Sequence, residues 1–252
     1  MTPRSIPKRY RPAPDTLAGR VILITGASDG LGRATALLAA ECGADLVLLG
    51  RNAKKLEAVA DEIEKKGGKA PALHAMDFAS ATWPDYLALA HTLADKYGRL
   101  DGLLHNAGIL GDRSPLLHYD VATWQQVMTV NVTAPFMLTR ACLGLLGQSE
   151  DASVVFVSSG VGRKGYAHWG AYSVSKFALE GLSQILAEET AENTHIRANA
   201  LNPGGVRTAM RAAAFPGEDR DRLPTPEDIA PAFIWMLGES SKGHTGETFD
   251  AQ

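Results

Sequence analysis

Two cysteines, Cys42 and Cys142, are all that the 252-residue chain contains. That is too few for a disulfide framework or a zinc site, so no metal is expected. Each thiol reads as a small apolar side chain. Aromatic residues make up only 7% and charged residues 21%, with 25 Lys and Arg set against 28 Asp and Glu. Neither sign dominates, which argues against a nucleic-acid binder and against an acidic disordered chain. No uninterrupted apolar run approaches the ~18 residues of a membrane span. The first stretch, MTPRSIPKRYRPAP, lacks the apolar core of a secretion signal. The expectation is a soluble, cytoplasmic protein with neither membrane nor nucleic acid as a partner.

What is present is apolar material, 45% of the residues, in a length that suits one α/β domain. Residues 1–16 read as a basic arm carrying Arg4, Lys8, Arg9 and Arg11 and broken by Pro3, Pro7, Pro12 and Pro14. Such a segment is either flexible or docked on a neighbouring subunit. Residues 17–252 read as a single domain. Short apolar runs there alternate with stretches of helical period. Strands are expected at Val21–Thr25, Asp45–Gly50, Ala70–Ala75, Leu100–His105, Ser153–Ser159, Ile196–Leu201 and, weakly, Glu247–Asp250. Helices are expected at Gly30–Cys42, Ala53–Lys66, Thr82–Tyr97, Val121–Leu146, Ala171–Glu192 and Pro226–Leu237. That alternation predicts a Rossmann-type, doubly wound α/β fold: a parallel sheet of about seven strands with helices on both faces. Arg207–Thr225 shows no clear period and reads as a lid over a site.

Between the first strand and first helix stands Thr25-Gly26-Ala27-Ser28-Asp29-Gly30-Leu31-Gly32. Glycines there let the chain turn sharply and let backbone approach a pyrophosphate. The helix beginning at that point aims free N–H groups at the phosphates. A plain tight turn is the competing reading. The second strand runs into Gly50-Arg51, where an NAD site usually has an acidic residue. A guanidinium suits a 2′-phosphate, so NADP(H) is favoured and NAD(H) kept as the second choice. Asp29 argues for caution, because a carboxylate turned inward would repel a phosphate. Asp77, followed by Phe78 after the third strand, either accepts from the adenine amino group or caps the next helix.

Tyr172 and Lys176 are four apart in Tyr172-Ser173-Val174-Ser175-Lys176, hence on one helix face. A phenol ordinarily ionises near pH 10, and a nearby ammonium favours the phenolate. Tyr172 then qualifies as a general acid or base. Taken alone this spacing is usually structural. Ser159 stands thirteen residues earlier and Asn131 twenty-eight before that.

At this point the chain resembles the short-chain dehydrogenase/reductase family. The likeness rests on T-G-x-x-x-G-x-G at Thr25 to Gly32, N-A-G at Asn106-Ala107-Gly108, and Asn131, Ser159, Tyr172 and Lys176 in order. It also rests on P-G-x-V-x-T at Pro203-Gly204-Gly205-Val206-Arg207-Thr208, and it runs from about Leu17 to Asp250. A narrower likeness to the YciK-type bacterial oxidoreductases rests on Gly26–Gly30, Leu104–Gly108, Trp169–Tyr172, Asn202–Gly205 and the ending Thr248–Gln252. Two departures stand out: His105 replaces a second Asn before N-A-G, and the common Asp-Gly-Gly near the end is absent.

The resemblance implies an oxidoreductase acting between nicotinamide and a small carbonyl or alcohol. In it Tyr172 is the proton donor or acceptor, Ser159 holds the substrate oxygen, Lys176 holds the ribose and lowers the Tyr172 pKa, and Asn131 positions a water. It implies cofactor contacts from Gly26, Ser28, Asp29, Gly30, Leu31, Gly32, Arg51, Asp77, Phe78, Asn106, Ala107, Gly108, Tyr172, Lys176, Pro203, Gly204, Val206 and Thr208. It further implies a homo-oligomer, a homotetramer or dimer, built through the two long helices. The competing readings are a non-catalytic dinucleotide-sensing or interaction protein on the same fold, and an epimerase or dehydratase with a retained cofactor. Val161, Tyr166, His168 and Trp169 are candidates for the pocket wall.

Overall fold

The computed structural model describes residues 2–7 and 10–252; Lys8 and Arg9 of the basic arm lie outside the described residues. Along the chain come β1 (Arg4–Ser5), β2 (Val21–Thr25), α1 (Gly30–Glu41), β3 (Asp45–Gly50), α2 (Ala53–Lys65), β4 (Ala72–Ala75), α3 (Trp83–Tyr97) and β5 (Gly102–His105). There follow α4 (Val121–Met128), α5 (Ala134–Leu146), β6 (Ala152–Val157), α6 (Gly170–Thr190), β7 (Ile196–Asn202), α7 (Ala209–Ala214), α8 (Pro226–Leu237) and β8 (Thr248–Asp250).

The strands form one sheet in the order β1-β8-β7-β6-β5-β2-β3-β4. All pairings are parallel. Inner strands such as β2 are buried at every residue, as a sheet covered on both faces demands. Their side chains alternate between two cores. Ile22 and Ile24 join α1, α2 and α8 on one face, while Val21 and Leu23 join α3, α5 and α6 on the other. Each such side chain contributes about 1.5–3 kcal/mol by leaving water. Both cysteines are buried and free. This is the expected Rossmann-type fold, with eight strands in place of about seven.

The extra strand is β1. Arg4 and Ser5 pair with Phe249 and Asp250 of β8, and the Ile6 N–H donates to the Asp250 carbonyl at 3.1 Å. Ile6 is buried. The arm expected over residues 1–16 thus contributes an edge strand to its own sheet.

The helix expected over Val121–Leu146 is interrupted by a wide π turn at Thr129–Thr133, where the Ala134 N–H donates five residues back to Thr129. Pro135 follows directly, and without an N–H it cannot bond the Asn131 carbonyl in the ordinary ladder. By length and composition alone this 26-residue stretch would suffice to cross a membrane, but half of its most apolar window is buried in the fold, as in a core helix. The Arg207–Thr225 segment is not structureless, because it holds α7 and a 3-10 turn at Arg220–Arg222.

Candidate active site

Strands of a parallel sheet direct their carboxyl ends to one edge, and ligands of such folds bind there. A cleft of about 590 Å³ opens over those ends. The glycine loop, Arg51, the Asp77-Phe78 turn, the Asn106–Gly108 turn and the Pro203–Thr208 segment line one part of it, and Ser159, Tyr172 and Lys176 line another. Of the expected site residues only Gly32 and Asn131 stand outside the lining, each directly behind it.

Gly32 sits where a side chain would strike the Gly26 carbonyl and come within 2.5 Å of Asn106 Nδ2. The close approach is fixed from behind. Asn106 Nδ2 donates to the carbonyls of Thr25 (3.0 Å) and Gly26 (3.2 Å), and the N–H groups of Asn106 and Ala107 both donate to Thr25 Oγ1 at 3.0 Å. Thr25 Oγ1 in turn donates to Leu104 at the end of β5. The result is a tight backbone cradle at the N-terminus of α1, which fits the diphosphate of a dinucleotide. Asp29 does not thrust its charge into that cradle unpaired: its carboxylate caps α1 by accepting from Gly30 N at 2.8 Å and lies 3.5 Å from Lys55 Nζ. Asp77 caps no helix; it accepts from Ala79 N at 3.0 Å, while Thr82 and Asp85 form the capping box of α3.

The catalytic candidates come from three elements. Ser159 lies just past the end of β6, outside the strand expected to contain it. Ser158 is committed elsewhere, donating to Glu180 Oε1 at 2.5 Å. Tyr172 and Lys176 share one face of α6, with the ammonium 5.4 Å from the phenol ring centre. Burial pushes the Tyr172 phenol up to about 12, partly opposed by a hydrogen bond to Ser159. Burial brings Lys176 down to about 8. Desolvation thus sets the direction for both groups, upward for the phenol and downward for the ammonium. Lys176 Nζ donates to the Val157 carbonyl at 2.7 Å.

Asn131 is buried in the π turn. Its Oδ1 accepts from Ile109 N (2.8 Å), and its Nδ2 donates to Ile109 O (2.9 Å) and Ser175 Oγ (3.0 Å). Ser175 donates onward to the Tyr172 carbonyl at 2.7 Å. Asn131 thereby joins the Gly108-Ile109 loop to the helix carrying the phenol. Ser175 was not singled out from the sequence, although it lies inside the Tyr172–Lys176 motif.

Of the four wall candidates only Trp169 lines the cleft; Tyr166 and His168 are exposed, and Val161 accepts from Ser173 through its carbonyl. Phe215 packs on Trp169 at 5.7 Å, and Arg113 covers both rings while donating to the Ala214 carbonyl. These contacts join residues distant in sequence, and of them only Trp169 was a candidate for the pocket wall. His105 is a packed ring: its Nε2 lies 2.8 Å from Thr139 Oγ1, it stacks on Phe156, and burial lowers its pKa to about 3.

Residues 20–219 match the model of the short chain dehydrogenase family. The chain belongs to that family, and it is an oxidoreductase of the family's Rossmann-like fold. Among its relatives is the uncharacterized oxidoreductase YciK of Escherichia coli K12, 51% identical over 243 residues and covering 96% of each chain. A short chain dehydrogenase from E. coli CFT073 solved with NADPH superposes with a TM-score of 0.93 at 52% identity, covering 96% of this chain and 100% of that one. One from Shigella flexneri 2a str. 301 solved with NADP gives 0.93 at 50% identity, covering 95% and 100%. The chain is of the YciK type.

Proposed function

We propose that the protein is an NADP(H)-dependent reductase or dehydrogenase of a small carbonyl or alcohol, with Tyr172 as its general acid and base. The observation that carries the reading is that Ser159, Tyr172 and Lys176 line one cleft together with the glycine cradle, with the Lys176 ammonium 5.4 Å from the Tyr172 ring centre. The bound coenzyme supplies or accepts the hydride. Tyr172 donates its phenolic proton to the substrate oxygen in reduction and recovers it in oxidation. A phenol held up near 12 keeps that proton at neutral pH until a substrate oxygen takes on charge. The Ser159 hydroxyl donates to the same oxygen and steadies it. Lys176 places a cation beneath the phenol, and Asn131 with Ser175 holds α6 in register against the Gly108 loop.

Arg51 stands on the cleft rim where an acidic residue would select NAD, which supports NADP(H). The NADPH and NADP complexes of the relatives favour the same coenzyme. The assembly is a homo-oligomer, a tetramer by preference, for which exposed Phe136 and Leu143 of α5 and Val174, Phe177 and Ile185 of α6 offer an apolar surface.

The test follows nicotinamide absorbance across a panel of carbonyls and alcohols. Tyr172→Phe is expected to lose roughly 100-fold or more in turnover while still binding NADPH. Equal turnover by the two proteins would return the chain to the non-catalytic, dinucleotide-sensing reading.

A further inference from the structure

The Pro203–Val206 turn forms the cleft wall next to Ser159 and Tyr172. Pro203 and Val206 at its ends are buried, while Gly204 at its tip is exposed and adopts a left-handed φ of +77°. Something must hold it. Gln252 Nε2 donates to two of its carbonyls, Pro203 at 2.6 Å and Gly205 at 3.1 Å. The amide lies so close above the turn that a side chain at Gly204 would collide with it. On the inner side, Gly204 N donates to Asn202 Oδ1 at 3.0 Å, and Asn202 Nδ2 donates to Asp250 Oδ1 at 2.8 Å.

Asp250 is itself tied to the catalytic wall. Arg163, three residues past the Ser159-Gly160 turn, donates to Asp250 Oδ1 at 2.7 Å and to the Phe249 carbonyl at 2.9 Å. Its Nε donates at 3.1 Å to Glu180, the carboxylate that also receives Ser158. Glu180 lies on α6, one turn beyond Lys176. A chain of polar contacts thus runs from the helix and turn that carry Tyr172 and Ser159, through Arg163 and Asp250, to the turn at Gly204.

We propose that Gln252 is a positioning residue of the reactive centre: its side-chain amide clamps the Pro203–Gly205 turn and sets that wall where the nicotinamide end of the coenzyme must lie. The clamp rests on the dinucleotide reading above. It touches neither the glycine cradle nor Arg51, so it acts on one half of the coenzyme only. That asymmetry separates positioning from general stability.

The experiment measures calorimetric affinity for NADPH and for adenosine 2′,5′-bisphosphate, a fragment lacking the nicotinamide, in the wild-type chain, Gln252→Met and Gln252→Glu. Met keeps the length and loses the donor; Glu keeps the shape and offers only acceptors to two carbonyls. Gln252→Met is expected to weaken NADPH about fivefold and leave the bisphosphate unchanged within about twofold, and Gln252→Glu to weaken NADPH further. Equal NADPH affinity in wild type and Gln252→Met overturns the clamp alone. Equal losses for both ligands also overturn it, by showing a general structural effect. A wild-type chain that binds neither ligand overturns the dinucleotide reading and the clamp with it.

Discussion

Lys176 illustrates how burial works against a charge. Its ammonium is nearly sealed from water and its pKa falls to about 8, so near that pH the charge is only half present. Its Nζ donates to the Val157 carbonyl. Arg51 is the opposite case, an exposed cation whose use depends on a ligand. Removing it by Arg51→Ala should weaken NADPH about tenfold or more, with NADH affinity altered by less than about twofold, as measured by fluorescence titration of each coenzyme. A loss shared equally by both coenzymes would remove Arg51 from the specificity role.

At the scale of the element, the strand β2, the glycine turn and α1 form one unit whose geometry depends on atoms that are absent. Gly32→Ala would press a methyl against the Gly26 carbonyl and Asn106. The expected cost is about 1–3 kcal/mol in urea unfolding, together with weaker coenzyme binding as the cradle widens; unchanged values for both would show that the loop yields freely. Local patterns of this kind are what a sequence displays best. The glycine turn, the Tyr172–Lys176 spacing and the all-apolar inner strands could each be read within a short window. The π turn was half legible, since Pro135 announces a broken ladder but not whether a kink or a wide turn results. What stayed hidden depends on distant partners. β1 is two residues long and exists only because β8 offers a free edge. Ser159 could be chosen by its spacing to Tyr172, but the hold of Glu180 on Ser158 could not be read locally, and nothing local in Gln252 announces a clamp.

For the molecule as a whole, the buried ends of the sheet are fastened by ions. Asp151 is bound by Arg20 at 2.9 Å and by Arg197 at 2.9 Å, with side chains only 13% exposed or less. Burial pushes the Asp151 pKa up, but the hydrogen bonds and charges of Arg197 and then Arg20 outweigh it and leave the carboxyl below its ordinary value of 3.8. A depressed folded-state pKa gives stability that is complete above the unfolded value and is lost as pH falls through the folded one. The contribution is therefore full at neutral pH and fades below about pH 4. Asp151→Asn should cost about 3 kcal/mol at pH 7 by leaving two guanidinium groups uncompensated, with a smaller penalty at pH 3. Urea midpoints at the two pH values check this; a penalty that does not shrink in acid would contradict the linkage.

The pairing of β1 with β8 has a consequence for how the sheet closes. Residues near 4 and residues near 249 become direct neighbours, so β1 has no seat until β8 has docked on β7. That rim of the sheet is thus closed by two segments distant in sequence, and a chain that cannot seat β8 cannot seat β1 either.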